Sequence, residues 1–333
     1  MQMSYFETLP ASVRETANSA LRAAFGQMQI AGVNPIKGGA TTASTLRIDV
    51  GGRRYLLRIE GEPSPLRNPH QYVSMRIAAE AGIAPPIRFI DEAARVAVID
   101  FIEQRPLNTF PGGRVALSQA LGNLVRRVQS TPTFPYFIDY PEIVASLFRH
   151  VRRTGLFADG RLDPHFERLE LLQKTYDAGL SRVVSSHNDF IPSNILFDGN
   201  RLWLIDWESA YRNDPFVDVS IALDSIIRSQ DLEPIFCEAW LGKSLDDEAL
   251  ARLVTVRALT RLYYAGVLLS ASAATSCTSG DVDLSAPTVA EFERMARNGH
   301  LKPGEPQTKH VLGKMFLASF MTGVEAPGFA AAV

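Results

Sequence analysis

The chain has 333 residues, of which 46% are hydrophobic and 21% charged, with a formal net charge of −2 and a pI of about 6.3. This is the composition of a globular protein of about two domains or lobes, long enough to bury substantial cores. It argues against nucleic acid or an anionic membrane as partner.

The start, MQMSYFETLPASVRE, carries neither the basic residues nor the apolar run of a signal peptide, and no membrane-length apolar stretch follows. A cytoplasmic protein is expected. Cys237 and Cys277 stand far apart without a C-x-x-C pair, which excludes a disulfide framework or a zinc site as the organising feature.

In chain order, Val13, Ala17, Ala20, Leu21 and Ala24 fall at helical spacing behind Pro10 and predict an amphipathic helix over 11–25. From Asn34 to Ile59 the pattern turns to strands. Leu46, Ile48 and Val50 alternate, Gly51-Gly52 makes a turn, and a second run follows from Tyr55 to Ile59. Ahead of them, Gly38-Gly39-Ala40-Thr41-Thr42 reads as a β-turn or as a flexible backbone able to lie over phosphates.

A helix from His70 through Ala81 stops at Gly82, before Ala84-Pro85-Pro86. Two more strands, 88–90 and 95–102, flank an Asp91-Glu92 turn. Pro106 and Pro111-Gly112-Gly113 then mark the change to helical texture. The predicted division is an N-terminal lobe of residues 1–104 and a helical lobe of residues 105–333.

Helices are predicted over 115–128, 140–152 and 164–177. Arg126-Arg127 reads as a solvated face, and His150 and His165 as structural or exposed.

The chemistry concentrates between Ser186 and Asp218, SHNDFIPSNILFDGNRLWLIDWESAYRNDPFVD. His187, Asp189 and Asn194 form an H-x-D-x-x-x-x-N pattern, Asp198-Gly199-Asn200 is a hairpin signal, and the apolar run 202–205 delivers Asp206. Phosphoryl transfer needs charge neutralisation and positioning more than covalent help. Mg²⁺ prefers carboxylate and amide oxygens, so Asn194 and Asp206 suit it; Asp189 is placed to accept a hydrogen bond from an attacking hydroxyl.

A long helical region follows over 217–229. Seven acids lie between Asp206 and Glu233 (Asp206, Glu208, Asp214, Asp218, Asp224, Asp231, Glu233) against Arg212 and Arg228, a bias that suits a cationic acceptor and equally suits solvated faces. Gly242-Lys243-Ser244 is not a Walker loop, because Cys237 stands where its first Gly belongs. A helix over 250–270 carries Arg257, Arg261, Tyr263 and Tyr264. Loops are expected over 270–280 and 303–306, before a last helix.

HNDFIPSNILF followed by LWLIDWESA resembles the catalytic and metal-binding segments of the aminoglycoside phosphotransferase and choline kinase-like superfamily of small-molecule kinases, and most closely its bacterial choline kinase-like branch. The resemblance implies an α+β fold of the two-lobed protein-kinase type, with a small β-rich N-lobe and a larger helical C-lobe. It implies Asp189 as catalytic base, Asn194 and Asp206 as Mg²⁺ ligands, His187 as a buried organiser and Asp218 as a brace of the catalytic loop.

In the N-lobe it implies ATP held by a loop at Gly38, Gly39 and Thr41, by Arg58, and by main-chain groups of a hinge from Asp100 to Ile102. The family's helix Glu, partner of the strand cation, falls on or near Gln71, with Glu60 or Glu80 as substitutes. The loop Asn is replaced by Thr42 or Ala43, and Gln129 stands where a His commonly ends a helix. Tyr263 and Tyr264 fall on a helix that in the family lines the acceptor pocket, where aromatics can box a quaternary ammonium, although core packing is the plainer role for each one singly.

The expected function is thus an ATP- and Mg²⁺-dependent kinase for a hydroxyl of a small metabolite: an amino alcohol such as choline or ethanolamine, an aminoglycoside or a sugar. The alternative is a weak or inactive nucleotide-binding regulator of the same fold, motivated by the missing Glu and Asn. A protein kinase is disfavoured by the short Asn194 to Asp206 interval and the lack of D-F-G and A-P-E segments.

Overall fold

The computed structural model describes residues 9–26, 28–36, 43–61, 68–176, 182–275, 279–326 and 329. Helix α1 (Ala11–Phe25) precedes a five-stranded antiparallel sheet in the order β1-β2-β3-β5-β4, built from β1 (Ile30–Pro35), β2 (Ser44–Val50), β3 (Arg53–Ile59), β4 (Ile87–Asp91) and β5 (Val96–Asp100), with α2 (Gln71–Glu80) inserted between β3 and β4. Gly51 and Gly52 close the β2–β3 hairpin with φ of 57° and 74°, a left-handed pair that side chains with a Cβ resist.

Strand periodicity divides the sheet between two cores. Leu46, Ile48 and Val50 of β2 with Tyr55, Leu57 and Ile59 of β3 face α1 and pack on Ala17, Ala20 and Leu21. Leu56, Ala97 and Ile99 pack the other way, into the large core that also takes Tyr72, Met75 and Ala78 of α2 and runs on into the helical part. Arg58 shares the Leu56 face by the same alternation, so β3 presents its cation to the second lobe rather than to α1.

The rest of the chain is mostly helical: α3 (Gly113–Gln129), α4 (Tyr140–Arg153), α5 (Asp163–Thr175), α6 (Phe216–Ala222), α7 (Glu233–Leu241), α8 (Asp247–Ala273), α9 (Val289–Arg297) and α10 (Pro306–Glu325). Short strands β6 (Val184–Ser186), β7 (Ile195–Phe197), β8 (Leu202–Leu204) and β9 (Tyr211–Asn213) pair as β6–β9 and β7–β8 and carry the polar segment between them. The helix α8 packs against α4 and α10 at glycines: a Cβ on Gly266 would lie 2.8 Å from Leu147 Cβ, and one on Gly313 would lie 2.6 Å from Leu269 Cγ.

Two sequence readings change. The region 217–229 is not one helix. After α6 it widens into a π-helical turn over Leu223–Ile227 and ends at Arg228 with φ of 44°. Arg126 and Arg127 are not merely solvated: Arg126 donates to the Ala239 and Trp240 carbonyls at the end of α7, and Arg127 to the Ala81 and Gly82 carbonyls just beyond α2. Cations there meet unpaired carbonyls and the negative end of the helix dipole.

Gln129, in place of the His, ties Pro215 O (2.7 Å) to Trp240 Nε1 (2.9 Å). Gly242 is the left-handed C-cap of α7, as expected of a helix end. Among the described residues no helix is long and apolar enough to cross a membrane.

Candidate active site

The site is built from the β7–β8 hairpin. Asp198 Oδ1 accepts from the amides of Asn200 and Arg201, closing the turn with Gly199 at φ 103°. The register Ile195↔Leu204, extended by the bond from Ile205 N to Asn194 O (3.0 Å), sets Asn194 and Asp206 at the same end of the hairpin. Sequence spacing thus becomes adjacency: two oxygen-bearing side chains leave the hairpin where its strands end.

Asn194, buried in a 3-10 turn (Pro192–Asn194), donates Nδ2 to Asp189 Oδ2 at 2.7 Å and to Asp189 O at 3.0 Å. With Nδ2 committed to two acceptors, the amide orientation is fixed and its Oδ1 is free of the Asp189 carboxylate. Asp189 Oδ1 accepts from Tyr264 Oη at 2.7 Å. Burial raises the Asp189 carboxyl above its ordinary range, while the bonds from Tyr264 and Asn194 pull it back.

The loop bearing Asp189 is clamped from behind. Asp218, fully buried, accepts the His187 amide on Oδ2 and the Asn188 amide on Oδ1, both at 2.8 Å. Burial pushes its carboxyl up to about 6 against those bonds. His187 Nε2 lies 3.0 Å from Ile205 O; a carbonyl only accepts, so Nε2 carries hydrogen. Burial lowers the ring to about 4 and keeps it neutral, and Trp207 packs edge-on at 4.8 Å.

Asn188, at φ 60°, was missed by sequence reasoning. Its Nδ2 reaches Ser209 O (2.9 Å) and Tyr211 O (3.2 Å), and its Oδ1 accepts from Asn213 Nδ2 (2.8 Å). The signal was available, since Asn tolerates the left-handed region and here sits between His and Asp.

Asp206 is also left-handed, at φ 68°, a strained conformation of the kind that collects at functional sites. Its Oδ1 is buried without a hydrogen bond, 3.1 Å from Arg58 Nη2. Arg58 also pairs with Glu60 (2.7 Å) and Glu208 (3.2 Å). Desolvation disfavours its charge, but Asp206, Glu60 and Glu208 outweigh that and raise its pKa.

Arg58 is thus paired with acids from two directions, by Glu60 one residue past the end of β3 and by Glu208 of the Trp207–Ser209 turn. Among the described residues Gln71 makes no hydrogen bond to Arg58. The lobes are further tied at Ala210 O, which accepts from Asn68 Nδ2 (2.6 Å) and Ser74 Oγ (2.8 Å) of the α2 region.

Of the remaining predicted residues, Gly38, Gly39 and Thr41 lie outside the described residues. Asp100 ends β5, with its carboxylate held by Arg88 (2.6 and 2.7 Å) and its amide bonded to Pro86 O. Ile102 lies beyond the strand, where the chain leaves the sheet.

The acid-rich stretch looks different once partners are known. Asp214 pairs with Arg252, Asp224 with Arg257 and Arg261, and Glu233 with Arg257, while Asp206 and Glu208 share Arg58 and Asp218 is the internal brace. Counting acids along the sequence missed the bases that α8 brings back.

The arrangement fits a magnesium ion held jointly with nucleotide phosphates. Asn194 Oδ1 and the un-hydrogen-bonded Asp206 Oδ1 are hard oxygen donors of the right type. Among the described residues no group of three or more His, Cys, Asp or Glu side chains could hold a metal without such help.

Residues 32–253 match the family APH, the phosphotransferase enzyme family. The chain is 25% identical over 217 residues to protein LicA of Haemophilus influenzae, a match covering 62% of each protein, so it spans somewhat under two thirds of that relative's length.

Its fold superposes with a TM-score of 0.65 on a choline/ethanolamine kinase family protein of Mesorhizobium loti, at 18% identity over 95% of this chain and 97% of that one. It superposes with a TM-score of 0.62 on choline kinase LicA of Streptococcus pneumoniae, at 13% identity over 93% and 100%. The two-lobed fold is that of these kinases, and with two thirds of its length matched, the chain belongs to the APH phosphotransferase enzyme family.

Proposed function

We propose that the protein is an ATP- and Mg²⁺-dependent kinase that phosphorylates a hydroxyl of a small metabolite, with amino alcohols of the choline and ethanolamine type as the first acceptors to test. One observation carries this reading: Asp189 is held by Asn194 on one oxygen and Tyr264 on the other, at the end of the hairpin that presents Asp206.

In the proposed reaction Asp189 orients the acceptor hydroxyl and takes its proton as the acceptor oxygen bonds to the γ-phosphorus and the bond to the β–γ bridging oxygen breaks. Asn194 and Asp206 would hold Mg²⁺, which supplies charge neutralisation at the phosphates. Arg58 binds phosphate by a fixed fork that stays charged. The main chain near Ile102 supports adenine at the hinge; the nucleotide-binding reading of Gly38, Gly39 and Thr41 falls outside the described residues.

The acceptor class draws support from aromatic side chains rather than from an acidic wall. Tyr264 stacks on Phe316 (5.5 Å) and meets Tyr263 edge-on (5.5 Å), and Tyr263 lies 5.7 Å from Tyr140. Such surfaces attract an ammonium group by cation–π interaction. LicA of S. pneumoniae is a choline kinase, which points the same way. The acids around Arg58 also weaken the case for an inactive regulator, since the cation is clamped without the helix Glu.

The test is ADP release from Mg-ATP across choline, ethanolamine, aminoglycosides and sugars. Turnover with at least one acceptor, lost on EDTA treatment, is expected. Mg-ATP stabilisation of the fold with no ADP release across the whole panel would favour the regulator.

A further inference from the structure

We infer that Tyr264 is a positioning residue for phosphoryl transfer, fixing the Asp189 carboxylate in the orientation that receives the acceptor hydroxyl. The inference rests on reading Asp189 as the base and assigns to α8 a part in the chemistry beyond lining a pocket.

An ionised carboxylate offers about four lone-pair sites, two on each oxygen. Asn194 Nδ2 takes one on Oδ2 and Tyr264 Oη takes one on Oδ1, each at 2.7 Å. A single donor would leave the group free to rotate about its Cβ–Cγ bond. Two donors on different oxygens, one from the catalytic loop and one from a helix 75 residues later in the chain, fix the carboxylate plane.

The remaining lone pair of Oδ1 then has a set direction. The phenol oxygen, having donated its only hydrogen to Asp189, is itself an acceptor beside Oδ1, so an incoming hydroxyl or ammonium N–H meets two adjacent acceptor atoms.

The hydroxyl of Tyr264 is aimed by packing. Its ring stacks on Phe316 of α10 with an interplanar angle of 25° and is met edge-on by Tyr263 at 86°. The helix behind it is seated by two close approaches, Gly266 to Leu147 of α4 and Gly313 of α10 to Leu269, where a Cβ would force the helices apart. A tyrosine serving packing alone would need only some acceptor for its hydroxyl. This one ends on the carboxylate of the proposed base.

The experiment compares wild type, Tyr264→Phe and Asp189→Asn in ADP release with Mg-ATP, using water alone and then choline as acceptor, alongside thermal denaturation. Tyr264→Phe is expected to lower kcat about tenfold while KM for Mg-ATP and for choline stays within about twofold and Tm stays within a few degrees. Wild-type kcat in Tyr264→Phe, or a raised choline KM at unchanged kcat, overturns the inference; the latter would make Tyr264 a wall of the pocket.

Wild-type turnover in Asp189→Asn would instead overturn the base assignment. A readout independent of turnover uses protein labelled with ¹³C at the tyrosine Cζ: the resonance that Tyr264→Phe removes must shift in Asp189→Asn. An unmoved resonance overturns the contact.

Discussion

Replacing Asp218 by Ala separates stability from catalysis. The wild-type carboxylate accepts two buried amides at 2.8 Å, and losing hydrogen bonds to a charged group costs about 1.5–3 kcal/mol each. Even with both bonds in place, burial holds the carboxyl up at about 6, so keeping it ionised at neutral pH costs about 3 kcal/mol relative to an ordinary carboxylate, a penalty the variant escapes. Because that penalty already includes both bonds, what the variant adds is the cost of two unpaired buried amides, about 1–3 kcal/mol each, and the net loss at pH 7 lies below about 3 kcal/mol.

The sign with pH follows from the raised value. The folded wild type binds a proton more readily than the unfolded chain between pH 3.8 and about 6, so its burial penalty fades as pH falls and the gap to the variant widens. At pH 5 the gap should exceed that at pH 7 by about 1 kcal/mol. Activity should fall far more steeply, by roughly a hundredfold, because His187 and Asn188 lose the anchor that places Asp189.

Urea denaturation at pH 7 and pH 5, with ADP release on the same samples, measures both. A loss above about 5 kcal/mol at neutral pH, a gap that narrows on acidification, or near-normal turnover would each refute the reasoning.

Three further outcomes are expected. Asn188→Asp puts a carboxylate against the Ser209 and Tyr211 carbonyls and removes both amide donors, so it should destabilise by about 3 kcal/mol or more in denaturant titration, whereas an exposed turn Asn would tolerate it. His165 is lowered to about 4 by burial and has an unpartnered Nδ1, so the neutral ring contributes stability above pH 6.5 that is lost as pH falls toward 4. His165→Leu should lose about 2 kcal/mol less than wild type between pH 7 and pH 5; equal losses would contradict this. Glu208→Gln leaves Arg58 with Glu60 and Asp206, and is expected to raise KM for Mg-ATP several-fold with little change in Tm, an unaltered KM marking Glu208 as incidental.

The sequence carried the hairpin and its polar residues well because local rules suffice there. Asp198-Gly199 sets the turn, alternation sets the register, and Asn194 and Asp206 become neighbours without help from elsewhere. The sheet was legible for the same reason, through Leu46, Ile48 and Val50 against Gly51-Gly52.

What stayed hidden depends on residues distant in sequence. The partners of Arg58 could not be chosen between Glu60, Glu80 and Gln71, and Glu208 joins them from 150 residues away, in the turn next to Ala210, whose carbonyl accepts from Asn68 and Ser74. The acidic run from Asp206 to Glu233 left its meaning open because Arg252, Arg257 and Arg261, which return from α8 to pair with Asp214, Asp224 and Glu233, lie outside it. Tyr264 read as a core or pocket residue, and only helix packing shows its hydroxyl on Asp189.

The central claim, metal-assisted transfer with Asp189 as base, is tested most directly by single-turnover phosphorylation from γ-labelled Mg-ATP in wild type, Asp189→Asn and Asp206→Asn, using the best acceptor in the panel. Labelled product is expected from wild type, near-wild-type nucleotide binding but no product from Asp189→Asn, and loss of Mg-dependent binding and product together in Asp206→Asn. Product formed by Asp189→Asn at the wild-type rate would contradict it.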